Sequence, residues 1–120
     1  MKITGEAKDI IGKIHPAFVA TADKTGKPNV SAKGSLRVLD DEHLLFSDIA
    51  SPRTVSNIRE NPQVAVICLD ANERKGCRIW GNAEVISSGS TFIAEAKKFA
   101  QKNMTVNNIV KIEVTGFETS

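Results

Sequence analysis

The sequence is short of the groups that carry chemistry unaided. Cys68 and Cys77 are its only cysteines, and two thiols without secretory context are expected to stay reduced and pack as small hydrophobes. The two histidines, His15 and His43, fall at a helix exit and in a turn. Neither has a paired ligand nearby, which argues against a metal centre or a general base. The Gly-rich dinucleotide fingerprint, the P-loop and the G-x-S-x-G elbow are all absent, which excludes the commonest routes to phosphate transfer and acyl transfer. The segment Asp70 to Gly76 has the outline of a calcium loop but no closing Glu, so it reads as a solvated hairpin loop. Asp40, Asp41 and Glu42 are turn formers before they are catalysts. Any redox chemistry therefore has to come from a cofactor.

Long apolar runs are missing too. None approaches the ~20 residues of a membrane span, and the opening MKITGEAKDIIGKI has neither the apolar stretch nor the cleavage site of a signal peptide. The expectation is a soluble, cytoplasmic protein with no membrane contact. The net charge of +2 is spread along the chain without a basic block, so no nucleic-acid partner is expected. What is present suffices for a core: 41% of the residues are hydrophobic and 25% charged, as in an ordinary globular domain. A length of 120 residues predicts one domain over 1–120. A domain this small buries a modest share of its surface and gains from oligomerisation.

Ile3, Ala7, Ile10, Ile11 and Ile14 recur at helical spacing after a candidate N-cap, Thr4, and His15-Pro16 ends that helix. Phe18 to Ala22 and Asn29 to Lys33 read as a hairpin around Asp23 to Pro28, and Leu36 to Leu39 pairs with Leu44 to Ser47. Ser51-Pro52 suits an N-cap and first helical position, with Val55 and Ile58 inward and a stop at Asn61-Pro62. Val64 to Leu69 is nearly all apolar, as in a strand buried on both faces. Cys77, Ile79, Gly81, Ala83 and Val85 alternate with Arg78, Trp80, Asn82 and Glu84. A helix carrying Phe92, Ile93, Ala96, Phe99 and Ala100, then a strand through Val110, Ile112 and Val114, complete the chain. The pattern predicts a mainly β antiparallel barrel of about six strands with short helices.

Two segments suit an anion. At Ser51 to Thr54 a helix start offers backbone N–H groups, the Arg53 guanidinium and the Thr54 hydroxyl. Ser31 to Ser35 sets small and hydroxylic residues beside Lys33. Each has a plain structural reading as well: a helix start with a solvated Arg53, and a strand-edge lysine that discourages aggregation. Trp80 reads either as a core or dimer-contact residue or as a lid for an aromatic ring.

The T-x-D-K-x-G-K-P-x-V-S hairpin, the S-P-R-T-x-x-N-I-R-x-N-P-x-V-A-V block and the R-I-x-G-x-A-E-V strand occur in this order between Phe18 and Ile86. So arranged, the chain resembles the FMN-binding split-barrel superfamily related to pyridoxamine 5'-phosphate oxidase. The resemblance implies a six-stranded antiparallel split barrel, a homodimer with FMN at the subunit interface, and FMN-dependent oxidoreductase chemistry. The alternative is a non-enzymatic electron-transfer module. It implies that Arg53 and Thr54 hold the FMN phosphate, and that Val30, Ser31, Ala32 and Lys33 run along the ring and ribityl chain. Ser47, Asp48 and Ile49 match the strand end beside the flavin, and Trp80 reaches the flavin edge, from the partner chain in one arrangement. Some relatives hold heme or the deazaflavin F420 instead, and the scarcity of histidine weighs against heme. In the true oxidase a basic residue stands where this chain has Thr54, and a C-terminal segment supplies substrate-binding Arg and His. Pyridoxamine phosphate oxidation itself is therefore not expected. The substrate and the electron donor are left open.

Overall fold

Thr4 starts the first helix as its sequence position predicts: its hydroxyl accepts the Ala7 N–H at 3.3 Å. The helix, α1 (Gly5–Lys13), then buries Ala7, Ile10 and Ile11. The computed structural model describes residues 1–48, 51–86 and 108–119; the helix expected over 92–100 lies outside the described residues.

A hairpin of β1 (Ala17–Ala22) and β2 (Pro28–Lys33) follows. Its turn is organised by Asp23, whose Oδ1 accepts from the Thr25 N–H at 2.8 Å, the Thr25 hydroxyl at 2.6 Å and the Lys27 N–H at 3.0 Å. These donors, the Thr25 hydroxyl foremost, hold the Asp23 carboxyl below its ordinary range. Gly26 takes φ +91° there, which a side chain would oppose. Next come β3 (Arg37–Val38), β4 (His43–Asp48), α2 (Pro52–Glu60), β5 (Gln63–Asp70), β6 (Lys75–Ile86) and β7 (Asn108–Thr119). The Asn61 N–H caps the end of α2 by donating to Asn57 O at 2.7 Å.

All strands join one antiparallel sheet in the order β2-β1-β5-β6-β7-β4-β3. It curls into the half-barrel of a split-barrel fold. Among the described residues the sheet has seven strands rather than six, and the strand expected over Leu36 to Leu39 is the two-residue β3. On the concave side, Val19, Leu44, Phe46, Val66, Ile79, Val110 and Ile112 close on α1 in one core. Both cysteines lie in that core as free thiols. They sit directly opposite each other on β5 and β6. Burial pushes the Cys68 thiol up to about 12, so the pair is kept protonated and unreactive. Among the described residues no helix is long and apolar enough to cross a membrane.

Two details depart from expectation or refine it. Strand β5 is not buried on both faces: Val64, Val66 and Cys68 enter the core, but Ile67 and Leu69 stay 37% and 57% exposed. Among the described residues no layer covers these positions on the sheet's convex side, so the apolar run serves two different surfaces. A bulge also separates Trp80, opposite Gly116, from Gly81, opposite Val114. Gly81 is needed there, because a Cβ on it would stand 2.5 Å from Glu113 O.

Candidate functional site

Strand β2 lies against the start of α2, and its alternation decides which side chains face the helix. Asn29, Ser31 and Lys33 share one side; Val30 and Ala32 turn to the convex face. Ser31 Oγ and Thr54 Oγ1 share a hydrogen bond of 3.0 Å, and the Lys33 ammonium donates to the Ser51 hydroxyl. Lys33 is 7% exposed, and its Nζ stands 5.6 Å from the centre of the Phe46 ring. Burial lowers the Lys33 pKa, and the Asp48 carboxylate partly opposes this.

Strand β4 supplies the opposite wall. Asp48 accepts the Ser51 N–H at 3.2 Å through Oδ1 and the Asn108 amide at 2.9 Å through Oδ2. The Ser47 N–H donates to Ser35 Oγ at 2.9 Å, while Ser47 Oγ is buried without a partner among the described residues. Ser51 is thus bound on both sides, and one expectation needs correcting. Its hydroxyl is taken by Lys33 and does not cap α2. Pro52 has no N–H, and the Val55 N–H donates to Ser51 O at 3.1 Å. The leading N–H groups of Arg53 and Thr54 therefore stand at a helix terminus that no described side chain caps. A positive dipole end, the Ser31 and Thr54 hydroxyls and the buried Lys33 ammonium meet there, with Arg53 exposed on the same turn, which is the chemistry of a phosphate seat.

The pyridoxamine 5'-phosphate oxidase family model matches residues 3–115. This chain belongs to that family. A curated relative, an uncharacterised protein of Methanocaldococcus jannaschii, is 32% identical over 102 residues, which cover 82% of this chain and 68% of that protein. The crystal structure of HupZ from Group A Streptococcus is 34% identical and superposes with a TM-score of 0.85, covering 96% of this chain and 91% of that one. An FMN-binding protein from Syntrophomonas wolfei, 16% identical, shares the fold with a TM-score of 0.84 over 94% of this chain and 82% of that one.

Within this oxidase-family chain, the residues expected at the site divide into two groups. Ser31, Lys33, Ser47, Asp48 and Thr54 gather around the start of α2, with Arg53 exposed on its first turn. Val30, Ala32 and Trp80 lie on the convex face instead. Val30 pairs with Ala20, Ala20 with Ala65 and Ala65 with Trp80, so Val30 and Trp80 end one transverse row of the sheet. Ile49 lies outside the described residues. Ser51 as a partner of Lys33, and Asn108 as a partner of Asp48, escaped the sequence reading. Ser51 looked like a cap, and Asn108 reaches the site only because β7 pairs with β4.

Proposed function

We propose that the chain binds FMN with its phosphate at the start of α2, and works as an FMN-dependent oxidoreductase on a substrate still to be identified. The observation that carries this reading is the uncapped terminus of α2 between the Ser31–Thr54 hydroxyl pair and the buried Lys33 ammonium. Family membership and the FMN-binding neighbour support it. The buried Ser47 hydroxyl, without a partner among the described residues, fits as well, since it is a polar atom at the strand end beside this seat. Bound FMN supplies hydride or electron exchange at its ring. The chain's own part is to neutralise the phosphate through Arg53 and Lys33, to fix it with the N–H groups and hydroxyls of α2, and to shield the ring. The functional unit in this reading is a homodimer with flavin at the subunit interface. Phe18, Val30, Ile67, Leu69 and Trp80, all exposed on the convex face, are the surface a second copy covers.

The ionisable groups of the seat also favour a second reading. Lys33 is engaged by Ser51, and Asp48 by the Ser51 N–H and Asn108, which leaves neither as a ready acid or base. That arrangement suits an electron-transfer module as well as an enzyme.

The purified protein is expected to show a flavin absorbance band, as isolated or after FMN is added. Arg53→Ala is expected to weaken FMN binding by about 10- to 100-fold, the worth of a charge-assisted hydrogen bond, with an unchanged melting temperature. A colourless protein that does not take up FMN would end this reading. Bleaching by reduced nicotinamides without oxygen separates the enzyme from the carrier.

A further inference from the structure

The inward side of α2 carries a polar stripe beside its apolar one. Ser51, Thr54 and Asn57 follow one another at intervals of three residues, so they line one side of the helix and its approach. Each is tied to the concave side of the β1–β2 hairpin. Lys33 donates to the Ser51 hydroxyl, Ser31 and Thr54 share a hydrogen bond, and the Asn57 amide donates to Thr21 Oγ1 at 3.0 Å. The hairpin pairs Lys33 with Ala17, Ser31 with Val19 and Asn29 with Thr21. Each step of three along α2 therefore advances one inward-facing rung of the hairpin, and the last step crosses from β2 to β1.

We propose, resting on the flavin reading above, that Asn57 and Thr21 are positioning residues for the cofactor phosphate, although neither belongs to its seat. The first two ties are made by groups that a bound phosphate engages: the Lys33 ammonium and the Ser31 and Thr54 hydroxyls. The Asn57–Thr21 bond is the one of the three that uses no group of the seat. It holds the direction of α2 while the other two accommodate the ligand.

Direction matters here because the Arg53 and Thr54 N–H groups belong to the helix backbone and point along its axis. A hydrogen bond constrains angle as well as distance, whereas the burial of Val55 and Ile58 is a non-directional force. Asn57 and Thr21 are both buried. Packing alone does not require an amide and a hydroxyl there, since an apolar pair of the same shape is nearly neutral for stability.

The test titrates the full chain with FMN and with riboflavin, which lacks the phosphate, alongside urea melts. Thr21→Ser keeps the acceptor, and Thr21→Val orphans the buried Asn57 amide. Thr21→Val combined with Asn57→Leu replaces both polar partners by apolar ones. FMN affinity is expected to fall about tenfold in Thr21→Val and in the double variant, with riboflavin affinity within about twofold of the parent chain. Thr21→Ser is expected to keep FMN affinity within about twofold. The double variant should recover the urea midpoint lost in Thr21→Val without recovering FMN affinity, which separates aim from stability. The positioning role is overturned if FMN affinity is unchanged in both Val-bearing variants, or if FMN and riboflavin weaken in parallel. It is equally overturned if Thr21→Ser loses as much FMN affinity as Thr21→Val, or if that affinity returns with the midpoint in the double variant. In all these cases the parent chain still binds FMN and the flavin reading stands. Equal affinity of the parent chain for FMN and riboflavin overturns the phosphate seat and the positioning role together. Failure of the parent chain to bind either ligand overturns both readings.

Discussion

Lys33 is the residue on which stability and binding pull in opposite directions. Its ammonium is buried beside Ser51 and the Phe46 ring, and burial lowers its pKa. The unfolded chain therefore holds this proton more tightly than the folded one. Folding stability then rises with pH from below the lowered folded value up to the ordinary lysine value, and the cost of the buried charge is in full force at neutral pH. Removing the amine orphans no charge, because Asp48 keeps its bonds from the Ser51 N–H and Asn108. Lys33→Met is thus expected to raise stability at neutral pH by ~1 kcal/mol, about 4 °C in melting temperature. It should flatten the alkaline rise in stability and weaken FMN binding. Thermal melts from neutral to alkaline pH, paired with FMN titrations, check all three; a Met variant that melts lower would show that the ammonium is a net stabiliser.

At the scale of the elements, most of what was legible came from residues that act locally. Thr4, the Asp23 turn, Pro52 and Asn61-Pro62 marked where helices and hairpins begin and end, and each does so through a bond or ring of its own. The alternation of β6 was equally plain, since its inward residues are all apolar or small and its outward ones are Arg78, Trp80, Asn82 and Glu84. What was not legible depends on partners far along the chain. Asp48 meets Asn108 only through the β4–β7 ladder, and the burial of Lys33 follows from α2 closing over β2. The β5 run misled because Ile67 and Leu69 are as apolar as Val64 and Val66, though they face the other way. The bulge between β6 and β7 is likewise invisible in sequence until Gly81 is seen beside Glu113 and Ile112. Gly81→Ala forces the paired backbone apart at that point. It is expected to destabilise the chain by ~1–3 kcal/mol, read as a lower urea midpoint with an unchanged slope; an unaltered midpoint would mean that the ladder yields freely there.

At the scale of the molecule, the sheet has two apolar faces, and α1 covers only the concave one. The convex row Ala32, Phe18, Ile67 crosses three strands in register before reaching Arg78 and its ion pair with Glu118. A charge at its centre should be tolerated by a single chain and opposed by a dimer. Ile67→Glu is therefore expected to leave the far-UV spectrum unchanged, to halve the sedimenting mass and to reduce FMN binding with it. A variant that still sediments as a dimer would move the interface off this face.

The bulge that sets Trp80 across Gly116 has one more consequence. Trp80 is the only tryptophan, and the chain has no tyrosine. The intrinsic fluorescence of the protein is therefore the emission of one indole, 39% exposed on the convex face. Its colour reports the polarity of that face alone, and its quenching reports a flavin brought near. Each molecule carries one built-in optical probe, placed where a second subunit and the cofactor are proposed to meet.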